Sequence, residues 1–313
     1  MSDTAYYHVV HETRYDYESP VSLSRQLLHL TPRDCAWQTC LAHAIEIDPE
    51  PGLSQTGVDH LGNPVVCLAI EAAHSRLQVR AQSAVEVRSR LTPQPLASPA
   101  WEDVAAALAY GARPVHVDAA RYLFESPYVR VKREFAAYAR PSFGARRPLL
   151  DAVGELMQRI HAEFTFDPKA TNVATPVLKL LEDKRGVCQD FAHLMLAGLR
   201  SLGLAARYMS GYLLTRPPPG RPRLIGADAS HAWISVYCPR LDGGDGSGRW
   251  VDFDPTNNVQ PDTQHVTLAW GRDFGDVSPL RGVILGGETH ALDVAVTVTP
   301  CADAAQARAQ VTP

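Results

Sequence analysis

The stretch Arg185-Gly186-Val187-Cys188-Gln189-Asp190-Phe191-Ala192-His193 constrains the fold more than any other. A short polar turn ends at Gly186, an apolar helix begins just beyond it, and Cys188 sits at the junction. Phe191, Leu194, Met195, Gly198, Leu199 and Leu202 recur at i, i+3, i+4, i+7, i+8 and i+11, one buried stripe at helical period. Gly203 supplies a C-terminal stop. A cysteine in the first turn of such a helix has its sulfur close to free backbone N–H groups. The positive end of the helix dipole then favours the thiolate. The same placement also suits a cysteine that is only one more small buried apolar residue.

Two later stretches supply partners. Ser230-His231-Ala232-Trp233-Ile234-Ser235-Val236-Tyr237 alternates like a strand, with His231 at its start. Arg249-Trp250-Val251-Asp252-Phe253-Asp254-Pro255-Thr256 is a second short strand, stopped by Pro255. A cysteine on a helix start, a histidine on one strand and an acid on the next make a Cys-His-Asp set, recognised by roles and geometry. Asp252 and Asp254 are two apart, project to one face and compete for the acid's role. His193 is the competing histidine. It lies five residues after Cys188 on the same helix, roughly 140° round from it, and reads as packing or surface.

A free thiol with a pKa near ~8.5 is only a few per cent ionised at neutral pH. Each unit of lowering takes about 1.4 kcal/mol. A helix N-terminus supplies roughly 0.3–1 kcal/mol, or ~2 when partly buried. The dipole alone therefore falls short of a mostly ionised nucleophile, and an imidazolium at His231 is the natural remainder.

Gly186-Val187-Cys188-Gln189-Asp190-Phe191-Ala192, Ser230-His231-Ala232-Trp233 and Trp250-Val251-Asp252-Phe253-Asp254-Pro255-Thr256-Asn257-Asn258, in that order, resemble the bacterial transglutaminase-like family of the papain-like cysteine enzyme superfamily. Tyr7 to Tyr17, followed by Pro20-Val21-Ser22-Leu23-Ser24, resembles the N-terminal β-rich domain that often precedes this core. The resemblance implies an α+β fold. Its papain/transglutaminase-like core would have the cysteine on a helix N-terminus packed on an antiparallel sheet, preceded by a β-sandwich-like domain. It implies Cys188, His231 and Asp254 as catalytic residues. Asp254 is preferred to Asp252 because it stands directly before Pro255-Thr256 and four residues after Trp250.

The implied chemistry is cleavage of an amide in a peptide or protein substrate through a thioester, by a cysteine peptidase or amidase. Transglutaminase-type acyl transfer to an amine would use the same residues. A catalytically silent binding module that keeps the fold is the reading from another class, and the intact Cys188, His231 and Asp254 argue against it. Asn172 and Gln189 are candidate second oxyanion donors that the sequence leaves unassigned.

The 313 residues suffice for two domains. A net charge of -4 gives no pull towards nucleic acid or an anionic membrane. No apolar run reaches the ~18 residues of a membrane span, and Met1 to Tyr7 carries no signal-peptide pattern. Cys35, Cys40, Cys67, Cys188, Cys238 and Cys301 lack zinc-ribbon spacing and read as reduced thiols in a cytoplasm. No metal or cofactor is expected, and no calcium-loop pattern occurs. His8, His11, His29, His43, His60 and His74 are scattered and read as surface or packing residues.

Along the chain, residues 1–92 read as a β-rich domain, with strands around Tyr7 to Arg14, Ala44 to Ile47, Val65 to Ile70 and Leu77 to Val87. Residues 93–145 read as a proline-rich linker, a helix over Trp101 to Tyr110, and an Arg-rich helical hairpin. Residues 146–300 form the expected catalytic domain. It has helices over Leu149 to Phe164 and Pro176 to Lys184, the Cys188 helix, and a buried strand over Ala206 to Leu214. A proline-rich loop follows at Arg216 to Arg223, a glycine-rich turn at Gly243 to Gly248, and a last strand over Ala291 to Thr299. Residues 301–313 read as a flexible tail.

Overall fold

The computed structural model of the chain describes residues 4–91, 97–112, 116–215, 229–240 and 247–312. The centre of the proline-rich linker, the Arg216 to Arg223 loop and most of the Gly243 to Gly248 turn lie outside the described residues.

The first elements are strands β1 (Thr4–Leu28), β2 (Gln38–Asp48), β3 (Leu53–Val58), β4 (Pro64–Ile70) and β5 (His74–Arg88). Helices α1 (Trp101–Leu108), α2 (Val117–Ala120), α3 (Arg133–Ala139) and α4 (Leu149–Glu163) follow. Next come β6 (Thr165–Phe166), α5 (Val177–Asp183), β7 (Arg185–Gly186) and α6 (Cys188–Ser201). Strands β8 (Ala206–Leu213), β9 (Ala229–Pro239), β10 (Gly248–Phe253) and β11 (His265–Gly271) lead to α7 (Phe274–Val277). The chain ends in β12 (Leu280–Gly286), β13 (His290–Cys301) and α8 (Ala304–Ala309).

β1 is the spine of a seven-stranded antiparallel sheet. One side of it pairs with β5 along Thr4–Asp16 and with β4 along Ser24–Leu28. The other side pairs with β13 along Tyr6–Tyr17 and with β12 along Val21–Leu28. β2 lies outside β5, and β3 outside β4. All four ribbons break at one level, and Pro20, Pro49-Glu50-Pro51-Gly52 and Gly286-Gly287 fall at these breaks. Proline withholds a ladder donor, and both glycines adopt the positive φ that other residues disfavour. The two halves fold towards each other over Tyr17, Val21, Leu28, Val66, Leu68, Ile70, Leu77 and Val79. The expected β-sandwich-like region is thus one creased sheet.

Two expectations about the C-terminal part need correction. The strand expected over Ala291 to Thr299 forms as β13, but it pairs with β1 and not with the sheet beside Cys188. A catalytic domain drawn as 146–300 therefore cuts across the first sheet. β1 would otherwise present a long unpaired edge, and β13 buries Val296 and Val298 in doing so. Residues 301–312 are not a frayed tail. Asp303 caps α8 by accepting from Gln306 N, Ala307 is buried, and Gln82 Nε2 donates to Thr312 O at 3.3 Å. The Arg-rich segment forms two short helices, of which α3 lies close to α6 where Gly198 leaves room for Ala139.

The second sheet has the antiparallel order β10-β9-β8-β11. α6 packs on it through Phe191, Leu194, Met195 and Leu199, in one core with Tyr208, Ile234 and Val236. α6, β8, β9 and β10 match the sequence reading to within a residue or two; β3, β11 and β12 were not anticipated.

Candidate active site

α6 starts at Cys188, and Val187 before it is extended. The Asp190 carboxylate turns back on this junction, accepting from Val187 N at 2.9 Å and from Thr171 Oγ1 at 2.5 Å. One otherwise free donor of the helix start is thereby satisfied. Gly186 is required just upstream, since a Cβ there would meet Asp190 Oδ2 and Leu180 Cδ1, each at 2.7 Å. Burial pushes the Asp190 carboxyl up, against the lowering effect of the bonds from Thr171 and Val187. Cys188 is half-buried at the positive end of the helix.

β9 carries His231 opposite Gly211 of β8. His231 Nε2–H donates to Asp254 Oδ2 at 2.8 Å, and Cys188 lies near enough to the same imidazole to act on its charge. With Nε2 engaged by the acid, Nδ1 is the ring nitrogen left to serve the thiol. Burial would lower the His231 pKa, but its interactions with Asp254 and Cys188, including the charges of both, outweigh burial and raise it to about 10. His231 and Asp254 are thus joined directly, and Cys188 acts on the same ring.

Asp254 follows directly after β10 and is fully buried. Its Oδ1 accepts from Thr256 N at 2.9 Å and Asn257 N at 3.2 Å, so the Asp-Pro-Thr-Asn run closes a turn on the carboxylate. Its Oδ2 accepts from His231, from Asn257 Nδ2 at 2.8 Å and from His265 Nε2 at 3.1 Å. Burial alone would raise this carboxyl; the bonds from His231 and His265 reverse that and hold it well below the usual carboxylate range.

Asp252, on the same strand face, is engaged elsewhere. It accepts from Arg90 Nη1 and from Trp233 Nε1, the latter at 3.1 Å. His193 is buried and engaged elsewhere. Its Nε2 accepts from Phe274 N at 3.2 Å, its ring stacks on Tyr128, and burial with nearby Arg200 lowers its pKa to about 3. Asn172 Oδ1 accepts from Ala174 N at 2.9 Å and closes a local turn. Gln189 is half-buried.

Sequence reasoning missed His265, Asn257 and Arg90. The signal for His265 was present: His265-Val266-Thr267-Leu268-Ala269-Trp270 opens with a histidine and alternates, as the His231 strand does. His231, Asp254 and His265 also form a group whose ligand atoms lie within 4.8 Å of one another, close enough to hold a metal ion. Their 2.8 and 3.1 Å separations are those of N–H···O bonds to a shared carboxylate.

A cysteine-bearing helix laid on an antiparallel sheet whose strands bring in the histidine and acid defines a papain-like α+β protein of the transglutaminase type. Residues 7–86 match the bacterial transglutaminase-like N-terminal region, and residues 136–255 match the transglutaminase-like superfamily. The chain belongs to the bacterial transglutaminase-like family. It is 38% identical over 308 residues to an uncharacterized protein of Mycobacterium tuberculosis, covering 96% of this chain and 94% of that one. A protein-glutamine gamma-glutamyltransferase of Pseudomonas aeruginosa is 30% identical over 114 residues, covering 35% of this chain and 16% of that protein. Among solved structures, a proposed cysteine protease from Cytophaga hutchinsonii shares the fold, with a TM-score of 0.72 at 19% identity, covering 96% of this chain and 91% of that one. Among the described residues, no helix is long and apolar enough to cross a membrane.

Proposed function

We propose that the protein is a thiol-dependent amide-bond enzyme using Cys188, His231 and Asp254 through a thioester, and acting as a peptidase or amidase on a peptide or protein substrate. The observation that carries this reading is the placement of His231, whose Nε2 lies 2.8 Å from the buried Asp254 carboxylate while Cys188 acts on the same ring. The Cys188 thiolate attacks the amide carbonyl carbon, and the Cys188 backbone N–H, at the helix start, binds the developing oxyanion. The His231 imidazolium gives its Nδ1 proton to the leaving amine, and Asp254 holds the ring in orientation. Water, deprotonated by His231, then opens the thioester to an acid.

Acyl transfer to an amine is the second reading. It needs the same residues, and the partial match to the Pseudomonas aeruginosa gamma-glutamyltransferase favours it. The six unpaired cysteines support a cytoplasmic location.

The test is the pH dependence of Cys188 alkylation by iodoacetamide in the wild type and in His231→Ala. Fast alkylation well below pH ~8 that is lost in the variant supports the ion pair. Release of acid from peptide amides, with and without an added amine, then separates hydrolysis from transfer. A thiol that behaves identically in both proteins overturns the reading and leaves the binding module.

A further inference from the structure

Asp254 Oδ2 has a second imidazole. His265 opens β11, on the far side of β8 from His231, and both rings reach the same oxygen. A carboxylate only accepts, so His265 Nε2 carries the proton in that contact. The other ring nitrogen, Nδ1, is buried and has no hydrogen-bond partner among the described residues. Burial lowers the pKa of His265, outweighing the raising effect of Asp254. The ring is thus a neutral, fixed-tautomer donor, with its edge against Trp233 at 5.3 Å between centroids.

His265 is itself anchored from the N-terminal region. Arg90, just beyond β5, donates from Nη2 to His265 O at 3.0 Å and from Nη1 to Asp252. Arg90 N donates to Asp262 Oδ1 at 3.2 Å, and His265 N donates to Asp262 O at 2.9 Å. The charged and titratable groups acting on the ring are Asp254 and His231 beside it and Arg90 behind it.

We infer that His265, set in place by Arg90 of the N-terminal region, is a positioning residue that aims the Asp254 carboxylate at His231 and keeps it ionised. This rests on the proposed Cys-His-Asp reading and gives the N-terminal region a part in the site. His265 touches Asp254 and not the thiol, so its effect passes through the acid. Loss of one hydrogen bond to a charged group corresponds to about a ten- to hundred-fold rate loss.

The test is the iodoacetamide rate of Cys188 against pH in the wild type, His265→Leu and His265→Gln. The glutamine amide nitrogen falls near the position of Nε2 and restores a donor. The expected result is a rate near neutrality about ten-fold or more lower in His265→Leu, with its acidic limb moved to higher pH as Asp254 takes up a proton more readily, and recovery of both in His265→Gln. A packing role alone would give no recovery and no shifted limb. An unchanged profile in His265→Leu, in a wild type whose thiol does depend on His231, overturns this inference and leaves the proposed function standing. A wild-type thiol with no dependence on His231 overturns both. Should His265→Leu fail to fold, ring-nitrogen NMR of the wild type decides. A neutral Nε2–H tautomer of His265 near neutral pH is expected, and an Nδ1–H tautomer overturns the inference.

Discussion

The Gln38 side-chain amide pairs with the Thr267 main chain as a neighbouring strand would. Gln38 Oε1 accepts from Thr267 N and Nε2 donates to Thr267 O, both at 2.7 Å. Thr267 lies at an irregularity in β11, the edge strand of the second sheet. Asn63 repeats the device three residues on, accepting from Trp270 N at 3.0 Å and donating to Trp270 O at 2.9 Å. The creased sheet thus closes the open edge of the sheet that carries the site. Gln38→Leu leaves two buried main-chain groups unpaired, at about 1–3 kcal/mol each. The expected outcome in thermal unfolding is a Tm lower by about 5 °C or more. Gln38→Glu keeps the acceptor but sets a second acceptor against Thr267 O, and it should destabilise as well.

Asp252 and Asp254, with different partners, should give opposite phenotypes. Asp254→Asn offers His231 a neutral partner and is expected to lower the reaction rate on the order of 10²-fold or more, with a parallel fall in Cys188 alkylation. Asp252→Asn leaves the His231–Asp254 bond intact but strips the largely buried Arg90 of its counter-charge. It should keep alkylation within about three-fold while costing roughly 3–5 kcal/mol of stability. Alkylation kinetics and denaturant melts on both variants check this; equal loss of reactivity in Asp252→Asn would contradict the assignment of roles.

The nucleophile helix was legible in the sequence because local chemistry and burial agree there. Gly186 must be small, Asp190 must cap, and the stripe from Phe191 to Leu202 repeats at helical period. His231 and Asp254 were legible because each sits at an end of an alternating strand. The route of β13 was not. Ala291 to Thr299 reads as a strand, but its partner, β1, is nearly the whole chain away, and alternation carries no information on which edge a strand joins. The hidden part of the site has the same origin. His265 and Arg90 meet Asp254 and Asp252 only because a third strand and a distant region dock there.

The pH dependence of stability should carry the signature of His231. Its folded pKa, about 10, is raised above the unfolded value of ~6.5. The stabilisation from its partners is fully present below ~6.5 and is lost as pH rises through about 10. Asp254 is depressed, so its contribution is present above ~3.9 and is lost as pH falls through its lowered folded value. Stability from this network is therefore greatest between ~4 and ~6.5. His231→Gln, which keeps a donor but cannot take a charge, should be less stable than the wild type near pH 6 and approach it towards pH 10. Cys188→Ala should reduce the alkaline decline in part, because Cys188 is among the causes of the raised value. Thermal melts across pH 5–10 on the three proteins read this directly, and parallel curves for wild type and His231→Gln would contradict it.

The entry to α6 is tightly constrained. Asp190 holds Val187 N and Thr171 Oγ1 with one oxygen, and Gly186 leaves no room for a side chain above that carboxylate. Asp190→Ala removes a helix-start acceptor, at about 0.5–2 kcal/mol, and frees the segment around Thr171. Asp190→Asn keeps an acceptor oxygen and should lose less. Gly186→Ala forces its new methyl into Asp190 and Leu180, an overpacking of about 1–3 kcal/mol, and displaces the turn that aims Cys188 at His231. Both Gly186→Ala and Asp190→Ala should therefore slow Cys188 alkylation at pH 7 by more than their melts alone account for, because the helix start carries the thiol. Alkylation of folded samples well below their Tm separates the two effects. A wild-type rate in destabilised Gly186→Ala would mean that the thiol is positioned by the body of α6 and not by its first turn.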